Sequence, residues 1–121
     1  MLNNSAQLDQ VFQALADPTR RALVEALGVR SATVSELATP MPMSLPAVLQ
    51  HLQVLEASGL IRSEKVGRVR TCHLEVKMLD TADVWIAARR SMWRRRLDRL
   101  DAYLESLPPE TPSEPSKGTI E

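Results

Sequence analysis

Two glutamines three residues apart, Gln50 and Gln53, carry the most specific chemistry in this sequence. They lie in SLPAVLQHLQVLEAS, where Leu45, Val48, Leu52 and Leu55 recur at offsets 0, 3, 7 and 10. That spacing predicts a helix whose apolar stripe packs inward. The opposite face then presents Pro46, Gln50 and Gln53, with Ala47 beside them and Leu49 and His51 on the flanks. A side-chain amide offers the paired donor and acceptor that an adenine edge requires in the DNA major groove, and small neighbours allow close approach. Ser44 precedes the segment as an N-cap, and a helix N-terminus suits a phosphate. A lone helix of this kind would more often be a solvated face, so its surroundings decide the reading.

Other reactive groups are sparse. One cysteine, Cys72, excludes an internal disulfide framework and a cysteine-cluster zinc site. With two histidines, His51 and His73, no nucleophile–base pair and no phosphate loop, the chain does not read as an enzyme, and no cofactor is expected. No apolar run approaches the ~20 residues of a membrane span, so no membrane association is expected. The opening MLNNSAQLDQ lacks the pattern of a secretory signal, and the expected location is the cytoplasm.

The 121 residues suffice for one domain, and their 15 basic and 15 acidic side chains cancel. The balance is uneven along the chain. Residues 60–77 carry five basic groups (Arg62, Lys65, Arg68, Arg70, Lys77) against two acidic, and residues 78–107 carry six arginines against five acidic. Residues 1–59 and 108–121 are net acidic.

Punctuation and periodicity predict five helices and one hairpin. Leu8, Val11, Phe12 and Leu15 mark a first helix over about 5–16. Asp17-Pro18 opens a second, which carries Leu23, Val24 and Leu27 inward and stops at Gly28. Thr33 and Glu36 fit a capping box for a short third helix, closed by Pro40 and Pro42. The fourth runs from Ser44 to the stop at Gly59. LIRSEKVGRVRTCHLEV then alternates in period two, as a hairpin turning at Val66-Gly67-Arg68 does. Alternation puts Cys72 and Leu74 on its inward face, with Cys72 a small buried apolar residue and His73 facing solvent or phosphate. A final helix over about 79–106 carries Trp93, Leu97, Leu100, Leu104 and Leu107 in 4-3-4-3 spacing, extended backward by Ile86. The expected architecture is mainly α with a two-stranded β-hairpin (α+β), a domain over 1–107 and a disordered Pro-rich tail over 108–121.

LADPTRRALVEAL at 15–27, SELA at 35–38, SLPAVLQHLQVLEASGLI at 44–61, GRVR at 67–70 and a tryptophan-bearing last helix occur in this order. Together they resemble the ArsR/SmtB-type winged helix-turn-helix repressors over about residues 8–104. The resemblance implies a homodimer paired through its first and last helices, involving Leu8, Phe12, Trp85, Ile86, Trp93, Leu97, Leu100 and Leu104. It implies that the fourth helix reads double-stranded DNA, as an imperfect palindrome, through Ser44, Pro46, Ala47, Leu49, Gln50, His51 and Gln53. The hairpin becomes the wing, whose Lys65, Arg68 and Arg70 reach the backbone or the minor groove. Arg20 and Arg21 are candidates for a phosphate or for a surface ion pair with Asp17 or Glu25. Leu49 departs from the family, which often has Ser there, and offers a contact to a thymine methyl.

The family's metal sites find no counterpart. Thr33 and Ser35 stand at the positions of its third-helix Cys-x-Cys pair, and hydroxyls are poor ligands for soft metals. Residues 79–107 contain no His for its last-helix site. The last helix, VWIAARRSMWRRRLDRLDAYLESL, resembles a branch without metal ligands, associated with small-molecule metabolism. Three readings stay open: a dimeric repressor without a metal site, a small-molecule-released repressor with a pocket around Trp85, Met92 and Trp93, and a winged-helix protein-interaction domain.

Overall fold

Capping chemistry sets most helix starts in the computed structural model, which describes residues 4–109. The first helix, α1, spans Asn4–Ala14, and α2 spans Pro18–Val29. Asp17 caps α2 by accepting the Arg20 N–H at 3.1 Å, with Pro18 in the first turn. The third, α3, spans Val34–Ala38, with both bonds of the capping box in place: Thr33 N–H to Glu36 at 2.9 Å and Glu36 N–H to Thr33 at 3.1 Å. Ser44 accepts the Ala47 N–H at 3.3 Å and opens α4, Leu45–Ala57. Gly59 follows in the left-handed region at φ +85°, and a Cβ there would lie 2.8 Å from Met78 Cε.

Strands β2 (Ile61–Val66) and β3 (Val69–Leu74) form the expected antiparallel hairpin. Only Gly67 of the two loop residues has positive φ, the pattern of a type II′ turn. A third strand, β1 (Ala32–Thr33), adds to the sheet by pairing Ala32 with Cys72 and Thr33 with Thr71, in the order β1-β3-β2. Two residues are too short to show alternation, which is why sequence patterning does not reveal them. The last helix, α5, spans Val76–Ser106. It starts three residues before the expected 79, because no capping residue precedes Val76 to mark the boundary.

Three further expectations need correction. Helix α2 does not stop at Gly28; it runs through it, and Arg30 leaves in an extended conformation (φ −167°, ψ 158°) that feeds β1 directly. Helix α1 ends at Ala14 rather than near 16, where the Arg20 and Arg21 side chains take the carbonyls of its last turn and the residue beyond. Leu45 does not pack inward. It is 50% exposed, and the buried stripe of α4 begins one turn later at Val48.

The chain forms two compact units, Met1–Ile86 and Ala87–Glu121, divided within α5. The first holds the core: Val11 and Ala14 of α1, Leu23, Val24 and Leu27 of α2, Leu37 of α3, Val48, Leu52 and Leu55 of α4, with Leu60, Ile61, Cys72 and Ala82. Among the described residues of the second unit, Trp93, Leu97, Leu100 and Leu104 are all at least half exposed. Beyond residue 109 the expected disordered tail lies outside the described residues.

Candidate nucleic-acid interface

Helix α4 turns its apolar stripe into the core and leaves its amide face in solvent. Val48, Leu52 and Leu55 are buried, while Ser44, Pro46, Gln50 and Gln53 are exposed and Ala47, Leu49 and His51 are half-buried. The short α3 precedes it, with both Thr33 capping bonds holding the entry to that helix.

His51 occupies the flank of α4 that faces the start of α2. Its Nδ1 lies 3.3 Å from Arg20 Nη1 and 3.8 Å from Asp17 Oδ2. A guanidinium can only donate, so a bond in this geometry makes Nδ1 the acceptor and puts the ring proton on Nε2. Asp17 in turn has its carboxyl held below the ordinary carboxylate range, first by the Arg20 backbone N–H and also by the charges of His51 and Arg20.

Arg20 is not a free cation at the surface. Its Nε donates to the Ala14 carbonyl at 2.7 Å and its Nη2 to the Gln13 carbonyl at 3.0 Å. With Nη1 on His51, the guanidinium ties the end of α1 to the recognition flank of α4. Arg21 likewise donates to the Leu15 carbonyl at 2.8 Å.

The hairpin sorts its basic residues into paired and available groups. Arg62 is bound to Glu75 at 2.7 Å and to Glu64 at 3.3 Å, which raises its already high pKa further. The side chains of Lys65 and Arg68 make no hydrogen bond or ion pair among the described residues, and Arg68 sits in the two-residue turn. Arg70 donates to Ser63 Oγ at 3.0 Å and has no carboxylate in direct contact. Lys65, Arg68 and Arg70 line an open cleft of roughly 400 Å³ with Thr33, Val34, Ser35, Leu49 and Val69. All the ionisable side chains lining that cleft are cationic, so it is an electropositive groove between α3, α4 and the hairpin.

His73 is not simply solvent-facing. It is half-buried between the elements, with Nδ1 2.6 Å from Ser31 Oγ and Nε2 3.3 Å from Glu64 Oε1. Cys72 is buried as expected, 1% exposed, and desolvation pushes its thiol pKa up, with the Glu56 charge adding to the shift. Leu74 is half-buried against the same core.

Sequence reasoning passes over Ser63 and Glu56, whose side chains join the hairpin to α4 through a 2.9 Å bond from Ser63 Oγ to Glu56 Oε2. Only the strand register, which sets Ser63 opposite Cys72, brings this serine toward the helix. A serine between Arg62 and Glu64 carries no such signal by itself.

The residues assigned to subunit pairing present apolar surface. In the first unit Phe12 stacks edge-on against Trp85 with ring centroids 5.8 Å apart, and Phe12, Trp85 and Ile86 are each more than a third exposed. Leu8 is half-buried. No helix among the described residues is long and apolar enough to cross a membrane.

Comparison with known proteins agrees with this architecture. A family described as a helix-turn-helix domain matches residues 15–64. The crystal structure of an ArsR family transcriptional regulator is 47% identical, with 78% of this chain and 97% of that chain covered at a TM-score of 0.73. An ArsR-like transcriptional regulator from Rhodococcus sp. RHA1 is 34% identical over 88% of this chain and all of its own, at a TM-score of 0.76. The HTH-type transcriptional regulator Rv2034 of Mycobacterium tuberculosis is 46% identical over 67 residues, which make up 55% of this chain and 63% of that protein. The chain spans between about half and two thirds of the length of the first curated relatives it matches. The fold and its connections define a winged helix-turn-helix protein. This chain belongs to the ArsR family of transcriptional regulators.

Proposed function

We propose that this protein is a homodimeric, sequence-specific DNA-binding repressor that does not respond to metals. The observation that carries the reading is the pairing of an exposed amide face on α4 with an electropositive cleft beside it. Gln50 and Gln53 read base edges in the major groove, with Pro46, Ala47 and Leu49 making close apolar contact. Ser44, at the helix N-terminus, and His51, through Nε2, take positions near the backbone. Lys65, Arg68 and Arg70 hold the flanking phosphates or enter the minor groove. Arg20 supports this surface from behind by positioning His51.

Dimer formation covers the apolar stripes of α1 and α5. Charge along α5 favours an antiparallel pair. Arg89, Arg90, Arg94, Arg95 and Arg96 precede Leu97, while Asp98, Asp101 and Glu105 follow it. Two such helices crossing at Leu97 in opposite directions set basic segments against acidic ones, and a parallel pair sets like charges together.

Metal indifference follows from the third helix. Thr33 spends its hydroxyl on the capping box, and neither it nor Ser35 offers a thiolate. The test is an electrophoretic shift with the protein's own promoter region, repeated with zinc, cadmium and arsenite. A retarded complex unchanged by all three is expected. Absence of any complex contradicts the DNA-binding reading, and release by stoichiometric zinc, reversed by chelator, contradicts the metal-free one.

A further inference from the structure

Arg70 differs from the other hairpin cations in being held by a hydroxyl. Its Nη1 donates to Ser63 Oγ at 3.0 Å, and Ser63 donates to Glu56 Oε2 at 2.9 Å. The serine uses its one proton toward the carboxylate and a lone pair toward the arginine, so the chain of donors and acceptors is consistent throughout. Its members come from three elements: Glu56 near the end of α4, Ser63 on β2 and Arg70 on β3. Register makes the contact possible. Arg70 pairs with Lys65, which places Ser63 as its diagonal neighbour on the same face of the hairpin.

The two hairpin arginines with side-chain partners show what the intervening hydroxyl does. Arg62 meets Glu75 and Glu64 directly, and its charge is matched by theirs. Arg70 meets a neutral oxygen, with the carboxylate one residue further back. It is therefore oriented without being neutralised, and Nε and Nη2 remain for a bidentate contact. The same side chain lies at the junction of two recesses. It lines the electropositive cleft, and it also lines a second cavity of roughly 350 Å³ with Leu49, Gln53 and Glu56 of α4.

We propose that Glu56 and Ser63 are positioning residues for Arg70, which they hold in the orientation that receives a DNA phosphate. The proposal rests on the DNA-binding reading above, and it makes the geometry between recognition helix and wing depend on one side-chain chain. Holding a long, rotamer-rich side chain in place before binding lowers the ordering cost of the contact.

The test measures affinity for the promoter duplex across a range of salt concentrations, with thermal melting as a check on folding. Arg70→Ala is expected to lower the slope of log K against log salt by about 0.9, the loss of one phosphate contact. Ser63→Ala, which changes no charge, should move the slope toward the same value and weaken binding about fivefold. Ser63→Thr keeps the hydroxyl and should keep both quantities. The double variant should equal Arg70→Ala. Glu56→Ala removes an anion near the duplex, which by charge alone strengthens binding; a positioning role requires weaker binding. A wild-type slope for Ser63→Ala, additive effects in the double variant, or tighter binding by Glu56→Ala would overturn the proposal. A wild-type slope for Arg70→Ala would overturn it too while leaving Gln50 and Arg68 as DNA contacts. Failure of the unaltered protein to bind the duplex would instead overturn the reading beneath it.

Discussion

Arg20 Nε donates to the carbonyl oxygen of Ala14 at 2.7 Å, so a residue in the first turn of α2 closes the end of α1. The same guanidinium reaches His51 on α4 through Nη1 at 3.3 Å. Arg20→Ala should lower stability by about 1–2 kcal/mol, because two helix-end carbonyls lose a charged donor in a partly exposed site. It should leave the salt slope of DNA binding near the wild-type value. Chemical denaturation and a salt titration of the same variant check both parts.

The α4 stripe separates into a packed part and an open end. Leu55 is fully buried and Leu45 is half exposed. Leu55→Ala should cost about 2–5 kcal/mol by removing core volume, whereas Leu45→Ala should change stability by no more than about 0.5 kcal/mol. Urea midpoints for the two variants, compared at equal m-values, measure the difference.

Cys72 should be chemically quiet in the native state. Burial raises its thiol pKa, so folding favours the neutral form. The sign follows: the stabilising preference is complete below the ordinary thiol pKa and is lost as pH rises through the higher native value. Iodoacetamide at pH 8 should label native protein about tenfold or more slowly than urea-unfolded protein. Equal rates would show that the thiol is open to solvent.

Much of the fold was legible because its signals are local. Asp17-Pro18, the Thr33–Glu36 box, Ser44 and Gly59 each act within a few residues, and each sits where the spacing predicts. What escaped was set at a distance. Strand β1 exists because β3 supplies its partner, and α2 passes through Gly28 because the chain must enter that strand extended. In the site, the amide face of α4 was visible as a wheel. The partners of Arg20, Arg70 and His73 were not, because each bond joins residues brought together by helix packing or sheet register.

Subunit pairing is tested on the second unit. Leu97 and Leu100 are each at least half exposed in a single chain, an arrangement that favours burial against a partner. Replacing both with Glu should yield monomers or insoluble protein in sedimentation, with the wild type sedimenting as a dimer. A wild type that is folded and monomeric at micromolar concentration would contradict the pairing.

The central claim is that α4 reads sequence while the hairpin holds phosphate, and one salt titration tests it most directly. Binding of Gln50→Ala and Arg68→Ala is measured at several salt concentrations on the promoter duplex and on a scrambled duplex. Gln50→Ala should lose about 1–3 kcal/mol per half-site on the promoter duplex, little on the scrambled one, and keep its salt slope. Arg68→Ala should weaken both duplexes together and reduce the slope by about 0.9 for each contact removed. Equal losses on both duplexes for Gln50→Ala, with no change on either for Arg68→Ala, would contradict the assignment of recognition helix and wing.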